Sequence, residues 1–291
     1  MLLEKAQKFT PELAASLTEL AKEFSVSAVT DVPFPGAESG SRIIDYESVA
    51  PELEKLQGVA RDERCLALIA TAYLQNDIDT ASKLALLLTD ENGKALVEDL
   101  IAFRRGANLL EQNDKPGAEK IASQLKSPEL IVLLRLGLAN LDINSREQSS
   151  ALVHLQSMLT LLRDNGIKSR GLYLLNAAAL LVKIDSNVAL QVFDQAAGAF
   201  DDSTAGIAEL TRREHLSTIR LGKTTAVFSL NARSIPFRSV DDSIVTIFRH
   251  SHEQALPTVL RMKNERVLGP ALVAVAKELL VREFSSAMIT P

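Results

Sequence analysis

The sequence lacks several features by which many classes of protein are recognised. Its 291 residues include one cysteine, no tryptophan and only 4% aromatic residues. A lone cysteine, Cys65, excludes an intramolecular disulfide framework and leaves no cysteine cluster for a zinc or iron–sulfur site. Glycine and proline are also scarce, at 13 and 10 residues. This scarcity excludes collagen-like and low-complexity chains, and together with the many leucines and alanines it favours a nearly all-helical protein.

The sequence also lacks obvious targeting or membrane segments. The first residues, Met1–Ala6, show no basic stretch followed by an apolar one, which a secretory signal would require. No apolar run approaches the roughly 20 residues that span a bilayer. We therefore expect a cytoplasmic protein with no membrane span, or an exported one if an upstream leader is missing from this sequence.

Charge is distributed unevenly along the chain. The net charge of −5 divides into −5 for residues 1–60, −4 for 61–202 and +4 for 203–291. An acidic first part and a basic last part could attract a charged partner, or a second copy of the chain head to tail. A helical protein with solvated outer faces explains the same charges without a partner, and we favour that interpretation.

Helical periodicity runs through most of the chain. The predicted helices are 1–9, 11–25, 46–57, 61–75, 77–89, 91–111, 114–126, 128–141, 145–164, 168–183, 185–200, 203–220, 240–250, 252–263 and 265–283. Residues 26–45 show no period and contain several proline, glycine and serine residues, which is typical of a linker or loop. The predicted organisation is therefore N-terminal helices in 1–25, a linker at 26–45 and a helical-repeat domain at 46–291.

Small residues recur at regular intervals within this domain. Successive intervals of 37, 33 and 38 residues separate the alanines Ala81, Ala118, Ala151 and Ala189. Each follows another small residue by 11 or 12 positions, and these are Ala70, Gly106, Ala139 and Ala177. The spacing predicts helical hairpins of about 35 residues, with small residues where helices cross, stacked as an α–α superhelix. Chance spacing in an alanine- and leucine-rich bundle is the alternative.

One hairpin is missing from this series. Ala255 follows Ala189 by 66 residues, close to two units. The β-branched residues and Pro236 within 222–240 disfavour a helix, so we expect a short extended insertion there that covers part of an apolar layer. Gly222-Lys223-Thr224 resembles the end of a phosphate-binding loop but lacks the preceding glycine and strand. We therefore expect Gly222 to end the helix predicted at 203–220.

The hairpins resemble those of the tetratricopeptide-like superfamily over residues 61–202 and again over 240–283. The resemblance rests on Ile69-Ala70-Thr71-Ala72-Tyr73 and Ala81, which match small-residue and aromatic positions of that superfamily. The tryptophan and proline of the family pattern are absent. The chain also resembles uncharacterised bacterial helical-repeat proteins, for which no activity is implied. The superfamily resemblance implies an α-solenoid scaffold whose surface binds a protein or peptide.

Four basic residues without an intervening acidic residue lie between His215 and Val240. They are Arg220, Lys223, Arg233 and Arg238. Together they form a candidate site for an anion or for a protein partner. A solvated basic insertion explains the same residues and is the interpretation that we favour. Four charges with two aromatic residues are too few to favour nucleic acid.

No set of residues in the sequence points to a reaction. His154 has no visible serine–acid partnership, and His250 and His252 could share a metal only within a turn. We therefore predict no cofactor, no metal and no enzymatic activity. The leading hypothesis is a non-enzymatic scaffold that binds a protein or peptide partner. The alternatives are a nucleic-acid or anionic-ligand binder using the basic C-terminal third, and an all-helical enzyme with an inner cavity.

Overall fold

The computed structural model describes residues 46–164, 166–167, 169–202 and 216–287, and the side chains of these residues up to 280. All of them belong to one compact unit, Ile43–Pro291. The helices predicted at 1–9 and 11–25, and the linker at 26–45, lie outside the described residues.

The described part contains eleven helices and two strands, in agreement with the predicted all-α class. In chain order, the elements are α1 (Tyr46–Glu54), α2 (Gly58–Leu74), α3 (Ile78–Ala85), α4 (Glu91–Glu111), α5 (Lys115–Gln124), α6 (Pro128–Asn144), α7 (Gln148–Asp164), α8 (Arg170–Leu181), α9 (Ser186–Asp201), β1 (Leu216–Leu221), β2 (Thr224–Ser229), α10 (Val240–Arg261) and α11 (Glu265–Ala287). None of the described helices is long and apolar enough to cross a bilayer.

Consecutive helices pack against each other in pairs. The pairs are α2 with α3, α4 with α5, α6 with α7, α8 with α9, and α10 with α11. First helices of neighbouring pairs also touch, so that α4 contacts α6, α6 contacts α8, and α8 contacts α10. A single cluster of buried apolar side chains runs through all these pairs and includes both strands.

The turns inside the first three pairs share one geometry. Asn76, Asn113 and Arg146 adopt left-handed backbone with φ of 60°, 60° and 63°, and they are 37 and 33 residues apart. Asparagine tolerates this region better than most residues, which suits it to the end of a helix. The aspartates that follow, Asp77 and Asp114, accept hydrogen bonds from backbone N–H groups in the first turn of the next helix. The intervals equal those between the recurring alanines.

The recurring small residues are buried, with one exception. Ala81, Ala118, Ala151 and Ala189 are inaccessible to solvent, as are Ala139 and Ala177. Gly106 is also buried, whereas Ala70 is only partly buried. A Cβ atom on Gly106 would lie 2.8 Å from Leu134 Cδ1 and 3.0 Å from Ile121 Cγ2. A glycine at this point therefore lets α4 approach both α5 and α6 closely.

Two aspartates connect neighbouring pairs in the same way. Asp62 on α2 accepts hydrogen bonds from the Thr89 N–H (2.8 Å), the Thr89 hydroxyl (2.7 Å) and the Asp90 N–H (3.0 Å), just before α4. Asp99 on α4 accepts from the Lys126 and Ser127 N–H groups (2.9 and 2.7 Å), just before α6. Each carboxylate satisfies N–H groups near the next helix start, which otherwise lack partners.

The structure differs from the sequence prediction in the first part of the region 203–240. The predicted helix 203–220 is wrong at its end, because β1 occupies Leu216–Leu221, and residues 203–215 lie outside the described part. Burial alternates along β1, with Ile219 and Leu221 buried between exposed neighbours, so a period of two prevails over the helical one. The insertion predicted at 222–240 is non-helical, as expected, and the non-helical structure also includes β1 before it. Gly222 does not end a helix; it forms the hairpin turn, with a φ of +55°.

The helices predicted at 240–250 and 252–263 form one helix, α10, with a break inside it. Ser251 has non-helical backbone (φ −146°, ψ 47°), at the place where the sequence predicted a turn. His250 Nδ1 lies 2.9 Å from the Thr246 carbonyl, and His252 Nε2 lies 3.8 Å from Glu253 Oε1.

Candidate functional site

A non-helical segment of the chain lies across the helical pairs. We call residues 216–239 the strap, with a hairpin half (216–229) and a second half (230–239) that we call the extended half. The extended half is not straight, because the Ile235 N–H donates to the Ala232 carbonyl (3.1 Å) and the Phe237 N–H to the Ile235 carbonyl (2.8 Å). In the hairpin half, β1 and β2 pair antiparallel, with Leu221 opposite Thr224 across the Gly222-Lys223 turn. The side chains of Ile219, Leu221, Ala226 and Phe228 are buried, so the hairpin presents one apolar face to the protein.

The hairpin half packs on α2 and α4. Both strands contact α2, and β1 also contacts α4. Phe228 meets the Tyr73 ring edge to face, with 5.2 Å between centroids, and the Arg104 guanidinium lies 5.3 Å from the Tyr73 centroid. Burial raises the pKa of Tyr73, although Arg104 opposes this shift, so the phenol stays neutral. At the hairpin tip, the Lys223 N–H donates a hydrogen bond to Glu63 on α2.

The extended half begins along α4. Arg104 Nη1 donates to the Asn231 carbonyl (2.8 Å), and Glu111 Oε1 accepts from the Arg233 N–H (3.1 Å). The Ser234 hydroxyl donates to the carbonyl of Ala107 (3.2 Å). In the first two of these bonds, a helix side chain binds a backbone group of the strap.

The extended half then crosses α6 and α8. Ile235 lies against Gly137, where an added Cβ would be 3.1 Å from Ile235 Cγ1. Phe237 packs edge to face on Tyr173, with 5.8 Å between centroids. Asn176 holds one strap residue through both backbone groups, because its Nδ2 donates to the Arg238 carbonyl (3.1 Å) and its Oδ1 accepts from the Arg238 N–H (2.7 Å).

Tyr173 is itself fixed in place beneath Phe237. Its hydroxyl donates to Glu129 Oε1 at 2.8 Å. Burial raises the pKa of Tyr173 well above its ordinary value, and the Glu129 carboxylate raises it further. The phenol is therefore a fixed, neutral platform for an aromatic side chain.

The four predicted basic residues are spread along the strap. Arg220 is exposed and its Nε donates to the Gly222 carbonyl (3.4 Å), whereas Lys223 and Arg233 are exposed and bound through their backbone to α2 and α4. Arg238 is half-buried, and its Nη1 donates to Thr246 on α10 (2.8 Å). Burial, and then the charge of Arg238, lowers the pKa of Lys183. These contacts thus join Lys223, Arg233 and Arg238 to different helices, whereas Arg220 bonds within the hairpin.

The helix residues that bind the strap were not identified from the sequence. These are Glu63, Arg104, Glu111, Tyr173 and Asn176. Asn176 could have been recognised from the sequence. It is the only residue with an amide side chain among residues 171–181 of α8, all eleven of which are buried. A buried amide needs hydrogen-bond partners, so its place in an apolar helix indicates a polar contact from elsewhere in the chain.

A second polar cluster lies where α5, α6 and α7 meet. Asp142 is completely buried, and Lys115 Nζ lies 2.6 Å from its Oδ1 and 2.9 Å from Glu147 Oε2. The hydrogen bond to Asp142, followed by the one to Glu147, raises the pKa of Lys115. The buried carboxylate is therefore paired with a lysine that stays charged.

His154 completes this cluster. Its Nδ1 lies 2.9 Å from Arg135 Nη1, and its Nε2 lies 3.2 Å from Glu119 Oε1 and 3.4 Å from Asp142 Oδ2. An arginine can only donate, so Nδ1 accepts and the proton of the neutral ring is on Nε2. Burial, and then the charge of Arg135, lowers the pKa of His154. Both ring nitrogens are engaged, so the cluster joins three helices and does not present a free base.

Among the described residues, no group of three or more histidine, cysteine, aspartate and glutamate side chains could hold a metal ion. Comparison of the chain with protein-family models, curated proteins and solved structures finds no match.

Proposed function

We propose that this chain is a non-enzymatic, tetratricopeptide-like α-solenoid scaffold that binds an extended segment of a partner protein. The binding surface is the face of α2, α4, α6 and α8 on which the strap lies, which we call the strap face. The shared turn geometry at Asn76, Asn113 and Arg146 supports a repeat, as do the equivalent bonds made by Asp62 and Asp99. Stacked pairs of this kind present a continuous surface for binding.

The observation that carries the proposal is the strap itself. It contacts four helices that are first members of their pairs, in the order α2, α4, α6 and α8. Several of its hydrogen bonds join helix side chains to strap backbone, as at Arg104, Glu111 and Asn176. Since every polypeptide offers these backbone groups, a surface with this chemistry suits extended peptides in general.

The positions of the basic residues favour a peptide over an anionic ligand. An anion site needs several cations directed at one point. Instead, the backbone N–H groups of Lys223, Arg233 and Arg238 bond to α2, α4 and α8, respectively, and the Arg238 guanidinium bonds to Thr246 on α10. The nucleic-acid and enzyme alternatives stay predictions from the sequence.

Site-specific photo-crosslinking tests the proposal. A photoreactive amino acid is placed at Thr225 or Arg233, which are exposed on the strap, or at the matched control Gln195, which is exposed on α9. We expect one protein to crosslink at the strap positions and not at Gln195, and to bind in a 1:1 titration after purification. Equal capture at all three positions, or no saturable binding by the purified candidate, would contradict the proposal.

A further inference from the structure

The two halves of the strap are held by different means. In the hairpin half, Ile219, Ala226 and Phe228 are buried and the two strands bond to each other. In the extended half after Leu230, Ile235 is the only apolar side chain that is fully buried, and Phe237 is half-buried. The hairpin half is therefore part of the core, whereas residues 231–238 are mostly half-buried and contribute Ile235 alone to the buried apolar core.

The contacts of residues 231–238 form a set of subsites. Asn176 pairs with both backbone groups of one residue, so it binds extended chain of any sequence. Gly137 leaves room for an aliphatic side chain, and the Tyr173 ring receives an aromatic one. Ile235 and Phe237 are two positions apart, and the chain turns at Pro236 between them, because the Phe237 N–H donates to the Ile235 carbonyl (2.8 Å).

From this geometry we infer that residues 231–238 are an internal ligand that a partner protein can replace. The partner segment follows the path of this internal segment and carries an aliphatic residue, a proline, an aromatic residue and a basic residue in the order of Ile235-Pro236-Phe237-Arg238. This inference rests on the proposed function and specifies the partner that the strap face takes. The hairpin half stays in place while the exchange occurs.

Competition with the internal segment has a measurable consequence. The segment is tethered at both ends, by β2 and by α10, so its effective concentration at the subsites is high, on the order of millimolar. The observed affinity of a partner segment is then its intrinsic affinity multiplied by the fraction of molecules whose subsites are open. Weakening the internal segment should therefore tighten the binding of an external one.

The experiment uses a fluorescent peptide of strap residues 229–239 and fluorescence anisotropy with the full chain. The strap variant Ile235→Ala/Phe237→Ala should bind the peptide about tenfold or more tightly than the unmodified chain. Adding Asn176→Ala to that variant should weaken binding by about tenfold, since the backbone pair is lost. The control Gln191→Ala, exposed on α9, and a scrambled peptide should show no such changes.

Two results would overturn the inference. One is a folded strap variant that does not bind the peptide in a saturable manner; the other is binding that Asn176→Ala leaves unchanged. If the strap variant does not fold, hydrogen exchange of the unmodified chain decides. The N–H groups of Arg233 and Arg238 should then exchange faster than the paired N–H groups of β1 and β2, and equal protection would contradict the inference.

Other outcomes separate the inference from the proposed function. A partner that crosslinks at Thr225 or Arg233, while the strap peptide fails to bind, would leave the scaffold intact and remove the internal ligand. A chain that dimerises by exchanging residues 231–238, seen as a doubled mass in light scattering, would make a second copy the occupant and would also overturn the inference.

Discussion

The helical pairs and the strap differ in how far along the chain their defining contacts reach. In the pairs, Asp77 and Asp114 bond to N–H groups three residues away. In the strap, Arg104 bonds to a residue 127 positions later, and Glu63 to one 160 positions later. Local bonds specify a turn wherever its sequence occurs, whereas the strap takes its path only after the helices beneath it have formed. The comparison teaches that the strap's conformation is a property of the assembled helices.

The two regions nevertheless share one apolar core. Phe228 of the hairpin half belongs to the same buried cluster as the leucines of the helical pairs. If the hairpin half is part of this core, its loss should unfold the helices with it. The four predictions below test this comparison.

The largest effect is expected from Phe228→Ala. The side chain is 0% exposed and packs against Tyr73, so its removal should leave a cavity and lower the free energy of unfolding by about 3–5 kcal/mol. Urea denaturation followed by circular dichroism measures this loss. Phe103→Ala, an equally buried residue on α4, is the matched control and should cost a similar amount. A loss below about 1 kcal/mol for Phe228→Ala alone would show that the strap is peripheral to the core.

The next largest effect is expected from Asp62→Ala in the helical region. The change removes one carboxylate that accepts three hydrogen bonds, and it leaves the N–H groups of Thr89 and Asp90 without this acceptor. We expect a loss of about 2–3 kcal/mol in the same denaturation assay. Asp79→Ala is the control, since the Asp79 side chain is 94% exposed and its ion pair with Arg105 is long, with 4.0 Å between Asp79 Oδ1 and Arg105 Nη2. Equal effects of the two substitutions would contradict the role assigned to Asp62.

The difference between local and long-range contacts also explains what the sequence could predict. The helix at 91–111 was predicted with the bounds that α4 has, because its cap and its period lie within its own residues. The recurring small residues were likewise predicted to lie buried at helix crossings, and all of them except Ala70 are buried. Such features are readable from a short window of sequence.

The same reasoning missed the candidate site. Nothing near Arg104 or Glu111 indicates that each will bond to the strap backbone, and β1 was predicted as helix because its partner strand decides its conformation. Lys223, Arg233 and Arg238 were predicted within the insertion at 222–240 and Arg220 within the helix before it, and the sequence did not indicate the separate helices that the first three contact. Only Asn176, buried in an apolar helix, carried a signal of the long-range contact.

A smaller effect is expected where two helical pairs approach each other. Gly106→Leu places side-chain atoms where Leu134 and Ile121 already lie, so it should overpack the crossing and cost about 1–3 kcal/mol. Gly198→Ala on α9 is the matched control, because an added Cβ there meets nothing within 4 Å. The control should be neutral or stabilising by up to about 1 kcal/mol, since alanine favours a helix more than glycine does. A neutral Gly106→Leu would contradict the close approach of α4 to α6.

The smallest effect is a pH dependence confined to the helical region. Burial and Arg135 lower the pKa of His154, so the unfolded chain takes up a proton near pH 6.5 before the folded chain does. Stability contributed by the neutral ring is thus fully present above pH 6.5 and falls as the pH drops through the folded pKa. His154→Gln should remove this part of the slope, seen as a smaller fall in the urea midpoint from pH 7 to pH 5. An unchanged slope in His154→Gln would contradict this role of His154.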